Sequence, residues 1–293
     1  YQQHFLHETM VERTLEVYRR VARRRLTLLV TCLEGGGAQQ VVYDLATRMP
    51  PQRWEVRVAA LRHPSAGEPR QQAALEAAGI PVLPVVVRHP LDILGAWRLA
   101  RHLVTFRPHI LHAHLFHAHL VARVLGRLCG VPRIVCTHHE VERRHRPFRP
   151  LLERLSAGLD DASVAVSAAV ESHARSRLGA RRLRRIPNGI DLERWRRVED
   201  DAVLERWGID ADKRSVVFVG RITRQKGLPY LLAAARELDP DVQLVLCAGA
   251  PDTPEILAEV QEGVRRLQAE REGVIWIEEM LPQHDLAAVL SAG

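Results

Sequence analysis

The stretch Leu26-Thr27-Leu28-Leu29-Val30-Thr31-Cys32-Leu33-Glu34-Gly35-Gly36-Gly37 sets the fold class. Its first six residues form a short apolar run with β-branched members, which reads as a buried strand, and the glycines read as a tight loop. Ala38, Val41, Val42, Leu45 and Met49 then recur at helical spacing, completing a β-loop-α unit. The alternation continues. Strands are expected at 56–61, 82–87, 109–114, 134–137 and 163–166, and helices at 71–78, 91–105, 117–129, 150–158 and 168–177. In the helix at 91–105, Leu94, Trp97 and Val104 are expected to point inward. Strands alternating with helices predict a parallel sheet covered on both faces.

A second set follows the polar stretch Glu199 to Arg214, which reads as a linker with a helix around Ala202 to Trp207. It has strands at 215–219, 242–247 and 273–277 and helices at 228–238, 254–270 and 283–291. The expected architecture is therefore α/β with two Rossmann-like domains facing a cleft. The Gly35 loop and the Arg221 turn would lie across it, since ligands in such sheets bind beyond the carboxyl ends of the strands.

The 293 residues suffice for two domains, and 46% hydrophobic residues supply their cores. A net charge of +7, from 42 basic and 35 acidic residues, suits nucleic acid, an anionic membrane surface or phosphorylated small molecules. The arginines are spread over helices and few aromatics lie among them, which argues against nucleic acid. Cys32, Cys129, Cys136 and Cys247 lack metal-like pairing and read as buried reduced thiols. No apolar run reaches the roughly 18 residues of a membrane span and no signal-peptide pattern opens the sequence, so a cytoplasmic location is expected. The basic segment Arg143 to Arg154, interrupted by Pro147 and Pro150, leaves peripheral docking on anionic lipid open as an added property.

The clearest chemistry lies in Phe218-Val219-Gly220-Arg221-Ile222-Thr223-Arg224-Gln225-Lys226-Gly227, which puts two cations and a flexible turn at the end of an apolar strand. The chain has only two lysines, Lys213 and Lys226, so composition alone does not place one in this turn. A planar guanidinium fork beside a compact ammonium reads as a clamp on a nucleotide diphosphate. Gly35-Gly36-Gly37 either lets backbone N–H groups approach an anion at a helix start or is a plain flexible turn. A nicotinamide fingerprint would need glycine where Gln40 stands.

His112 and His114 share one face of an expected strand, with His117 and His119 just beyond. A zinc site is open to them, but no carboxylate or thiol at fitting spacing supports it. Some should be structural and others line the cleft. Cys136-Thr137-His138-His139-Glu140 follows another strand end, where a histidine either reaches substrate or sits on the surface. Arg185-Ile186-Pro187-Asn188-Gly189-Ile190-Asp191 reads as a loop, with Pro187 fixing one turn residue and Asn188-Gly189 accepting positive φ. Arg181, Arg182, Arg184 and Arg185 read as a solvated face or a ligand site.

Taken in order, Gly35-Gly36-Gly37-Ala38-Gln39-Gln40-Val41-Val42, His109 to His114, Thr137-His138-His139, Val166-Ser167, Pro187 to Asp191, and Val219-Gly220-Arg221 with Lys226-Gly227 resemble the family 4 retaining glycosyltransferases over about residues 25–293. The resemblance implies the GT-B fold, with an acceptor-side domain at 25–198, a linker at 199–214 and a partial donor-side domain at 215–293. It implies a hexosyltransferase that takes a nucleotide-diphosphate sugar and passes the hexose to a glycan or lipid-linked acceptor. By position, Arg221 and Lys226 would hold the donor diphosphate, with Gly36 and Gly37 against it or the acceptor. His139 resembles the family's active-site histidine, with His138 as runner-up, and Gly220, Gly249 and Asn188 are donor-pocket candidates. The implied chemistry uses no metal and no further cofactor, and the donor's own phosphate takes the acceptor proton on the same face.

Two features depart from the family. Its pair of glutamates for the donor sugar and ribose belongs to a later half of the second domain, beyond Gly293, so a truncated and catalytically silent nucleotide- or partner-binding relative is the alternative. Glu12 to Val21, within the leading segment 1–24, resembles the family's last helix although it precedes the first strand. A segment of tandem transferases, a rearranged gene and a plain amphipathic leader all account for it. Residues 25–195 look like transferases of polysaccharide and lipid-linked glycan assembly. Residues 215–293, especially Leu246 to Glu255, look like the glucan-synthesising branch of bacterial glycogen synthases, which implies ADP-glucose in place of a UDP-sugar.

Overall fold

The computed structural model describes residues 7–19, 25–33, 36–61, 70–85, 92–141, 148–279 and 281–293. They divide into two compact units that meet in sequence at Asp191 and Leu192. The first contains seven parallel strands, β1 Arg25–Val30, β2 Glu55–Ala60, β3 Val82–Pro84, β4 Ile110–His114, β5 Arg133–His138, β6 Ala162–Ala165 and β7 Leu183–Arg185, in the order β3-β2-β1-β4-β5-β6-β7. Between them run α2 Gly37–Arg48, α3 Arg70–Ala77, α4 Ile93–Phe106, α5 Phe116–Val121 with a π-helical continuation Ala122–Gly126, α6 Phe148–Ser156 and α7 Ala168–Arg177, and α1 His7–Arg19 precedes β1. Parallel strands need such helical crossovers, and their fixed hand sends the chain one way from β1 to β3 and the other way from β4 to β7. Successive residues of β1 therefore serve two cores. Leu26, Leu28 and Val30 pack with Met10, Val41, Leu45 and Leu75, while Leu29 packs with Leu99, Leu103, Ala118 and Ala122.

The leading helix belongs to this unit. Met10 and Val11 join the core under α2, His7 lies 3.2 Å from Asp44, and the His7 amide donates to the Ile190 carbonyl. The Gly189 amide meets Met10 Sδ at 3.2 Å, so α1 also fastens the loop after β7.

The second unit has three parallel strands, β8 Arg214–Arg221, β9 Val242–Gly249 and β10 Val274–Ile277, in the order β10-β9-β8. Its helices are α8 Asp201–Arg206, α9 Leu228–Ala234, α10 Pro254–Glu270 and α11 Gln283–Ser291. Thr253 caps α10 by accepting from the Ile256 amide, with Pro254 in the first turn, where a missing N–H costs nothing. Leu232, Val260, Val264 and Leu267 cover one side of β9, and Leu204, Ile209, Leu281 and Val289 the other.

Several expectations are corrected. Residues 199–214 are not a free linker: Asp200 caps α8, Leu204 and Ile209 enter the core, and the Asp210 amide donates to Gln243. The unit boundary accordingly falls at Asp191–Leu192 rather than at 198. In α4, Leu94, Trp97 and Val104 point to solvent, and the buried stripe is Gly95, Leu99, His102, Leu103 and Phe106. His102 stays neutral there, pushed down to about 4 by burial and by Arg57, and shares a hydrogen bond with Thr27 Oγ1. Of the four free thiols, Cys136 and Cys247 are buried and Cys32 and Cys129 half-buried. Strand 82–87 is shorter than expected, and residues 86 and 87 lie outside the described set, as do Gly35 and 143–147 of the basic segment. Leu99→Ala should destabilise the first unit by about 2–5 kcal/mol and Leu94→Ala by less than about 0.5 kcal/mol, measured by urea unfolding.

Candidate active site

The strand order reverses between β1 and β4, and a doubly wound sheet opens its ligand crevice at such a point. The carboxyl ends of β4 and β5 bring His112, His114, His138 and His139 together there. Alternation along the strand puts His112 and His114 on one side, with ring centroids 4.3 Å apart. His112 Nε2 shares a hydrogen bond with Thr137 Oγ1 at 2.7 Å, and His114 Nδ1 shares one with His139 Nε2 at 3.0 Å. His139 is half-buried, and its Nδ1 has no hydrogen-bond partner among the described residues, nor do His114 Nε2 and His138 Nε2. Burial, with smaller contributions from neighbouring imidazoles, lowers His112, His138 and His139 to about 3 and holds His114 well below its ordinary value. The four rings are thus neutral near pH 7, each able to donate at one nitrogen and accept at the other.

Leu115 turns the chain from β4 into α5 at φ 74 and ψ 156. That region is essentially glycine's, and a leucine there stores on the order of 1–3 kcal/mol. The turn brings His119 back beside β5. Its Nδ1 lies 2.8 Å from Glu153 Oε1 and its Nε2 3.0 Å from the Thr137 carbonyl. Both partners are oxygen atoms, so both ring nitrogens are engaged. Although burial opposes its charge, His119 and Arg123 hold the Glu153 carboxyl down at about 2. Arg123, fully buried in the π-helical turn, donates to Glu153, to Asp160 at 2.7 and 3.2 Å, and to Ser156 Oγ at 3.0 Å.

This network supplies the carboxylate that sequence spacing did not show. His119, His138 and Glu153 offer donor atoms within 4.8 Å of one another, a separation suited to a cation. Those of His119 and Glu153 are already engaged, because Glu153 is divided between His119 and Arg123 and both His119 nitrogens are bonded. Arg123, Glu153 and Asp160 were missed. An arginine in the otherwise apolar stripe Ala118, Ala122, Gly126 was the one available signal.

Gly36 leads into α2 with extended backbone, and among the described residues no side chain caps that helix and a Cβ at Gly37 would meet open space. Ser167 caps α7 by accepting from the Val170 amide, which accounts for the Val166-Ser167 pair structurally. Asn188 lies half-buried in the loop tethered by α1.

In the second unit, β8 ends at Arg221, Thr223 Oγ1 accepts from the Lys226 amide, and Gly227 at φ 70 admits the left-handed turn into α9. Lys226 is exposed and its stem folds over Gly220, where a Cβ would stand 3.8 Å from Lys226 Cε. Arg221, also exposed, meets Asp252 at 2.5 Å. Gly249 is required by packing, since a Cβ there would lie 2.3 Å from the Glu278 carbonyl oxygen.

Residues 35–194, more than half of the chain, match the model of Glycosyltransferase Family 4, and the chain belongs to that family. It is 39% identical to the alpha-maltose-1-phosphate synthase of Mycolicibacterium smegmatis, over 62% of this chain and 51% of that protein. For the enzyme of that name from Mycobacterium tuberculosis the identity is 36%, with the same coverage. The chain thus spans about half the length of the curated relatives it matches. Among solved structures, Anabaena Alr3699/HepE in complex with UDP and glucose has a TM-score of 0.74 at 18% identity, over 92% of this chain and 72% of that one. Sucrose-phosphate synthase from Thermosynechococcus elongatus has a TM-score of 0.69 at 18% identity, over 92% and 74%. The fold is of the GT-B type, as expected.

Because the folded chain holds His112, His138 and His139 at about 3 against an ordinary 6.5, their neutral forms favour the fold fully above pH 6.5, and that contribution is lost as pH falls towards 3. Glu153 adds a loss of the same sign between 4.5 and about 2. Urea-unfolding stability should be level with respect to these groups above pH 7 and decline steadily below 6.5. A profile flat down to pH 4 would contradict the buried neutral cluster.

Proposed function

We propose that this chain acts on a nucleotide-diphosphate sugar and transfers its hexose, with retention of configuration, to a glycan or lipid-linked acceptor in the cytoplasm. The observation that carries this reading is His139, a neutral, half-buried histidine whose Nδ1 has no partner among the described residues, at a strand end inside the segment that matches the glycosyltransferase family. In this scheme His139 hydrogen-bonds the transferred sugar. Arg221 and Lys226 meet the charge of the leaving diphosphate, helped by the backbone of the Gly36 to Gly37 turn. No metal or further cofactor is needed, since these cations neutralise the leaving group and the donor's own phosphate takes the acceptor proton as the new glycosidic bond forms on that face.

Glucose is the favoured hexose. The curated relatives are named for α-maltose 1-phosphate, two glucose units carrying a phosphate, and the Anabaena protein was solved with UDP and glucose. ADP-glucose and UDP-glucose are accordingly the leading donors, and the relatives' name favours a phosphorylated sugar as a second acceptor class beside glycans.

Titration calorimetry with ADP, UDP and GDP should find one that binds, and Arg221→Ala with Lys226→Ala together should weaken it on the order of 100-fold, as for two charge-assisted contacts. Unchanged affinity would remove the diphosphate assignment. In a radiolabelled transfer assay, His139→Ala should lower kcat about 100-fold or more while leaving nucleotide affinity within about threefold. Nucleotide binding by the unaltered chain without transfer would support the silent relative instead.

A further inference from the structure

Helices α4, α5 with its π-helical continuation, and α6 lie as neighbours on one face of the first sheet. Their inner sides bury Leu99, Leu103, Ala118 and Ala122 against the strands. Their outer sides are apolar too. Among the described residues, eleven of the seventeen exposed large hydrophobic side chains fall between Ile93 and Leu159. Ile93 is 81% exposed, Leu128 78%, Phe148 74% and Leu155 73%. Soluble monomers scatter such residues singly, and a concentration on adjacent helices marks a contact surface.

Apart from one buried carboxylate, the charges on these helices have one sign. Residues 93–106, 116–129 and 148–159 contain Arg98, Arg101, Arg123, Arg127, Arg149 and Arg154 but one carboxylate, Glu153, which is buried against Arg123. Arg127 is paired with Asp161, while Arg98, Arg101 and Arg154 are exposed among the apolar side chains.

We propose that this face docks on an anionic lipid bilayer, its apolar side chains entering the headgroup boundary and its arginines meeting lipid phosphates. Basic and apolar residues without exposed acids are the signature of an interfacial helix surface. A second copy of the chain is a poorer occupant, because a twofold contact sets the same patch against itself and brings arginine to arginine without a carboxylate. No helix among the described residues is long and apolar enough to cross a membrane, so the contact made by these helices is peripheral. The surface is independent of the donor chemistry proposed above.

The test is flotation of the full chain with vesicles of phosphatidylcholine alone or mixed with phosphatidylglycerol, at low and high salt. Binding should require phosphatidylglycerol, weaken with salt, and fall about fivefold for each of Arg98→Gln and Arg154→Gln at low salt. Phe148→Glu with Leu155→Glu should abolish it while circular dichroism and nucleotide affinity stay unchanged, since both side chains are already exposed. No flotation with anionic vesicles at low salt overturns the proposal. Light scattering that finds a dimer converted to monomer by the same two substitutions also overturns it, in favour of a second copy.

Discussion

A guanidinium with no access to water must be met by carboxylates, and Arg123 is met by Glu153 and Asp160. Removing one partner of such a group typically costs about 3–5 kcal/mol, because the other charge is left buried alone. The requirement binds three elements at once: the π-helical turn that carries Arg123, α6 that carries Glu153 and Ser156, and the segment entering β6 that carries Asp160. Glu153 extends the constraint through His119 to the Thr137 carbonyl, one peptide before His138. The position of His139 is thus fixed from behind by charge as well as by the strand that ends beside it.

Much of the fold was legible because each β-α unit has its own punctuation. The run at 26–31, the glycines after it and the helical spacing from Ala38 suffice for the first unit of structure, and α10 and α11 fall where their patterns put them. The misreading of α4 has a physical cause: the helix carries two apolar stripes, and the buried one contains His102, whose neutral ring bonded to Thr27 is invisible in a hydrophobicity pattern. β7 was not among the expected strands, because only Leu183 is buried while Arg184 and Arg185 are exposed on a short edge strand.

The histidine cluster was partly legible for a different reason. His112 and His114 announce their shared face by alternation, but the residues that settle their surroundings come from 25 to 34 positions away. No spacing rule reaches Glu153 from His119. At the other end of the chain, Arg221 was readable as an anion-binding group, and Asp252 opposite it was not. Both groups are exposed, and such a pair is worth about 0–1 kcal/mol, so a more highly charged anion can displace the carboxylate.

Leu115 carries a wider consequence. Glycine would sit in that backbone geometry without strain, yet a leucine stands there, half-buried against the sheet core. The side chain packs against the sheet core while the backbone turns from β4 into α5 at that same residue. Strain at a single residue is thereby offset by packing, and one turn sets both the imidazole before it, His114, and the imidazole after it, His119.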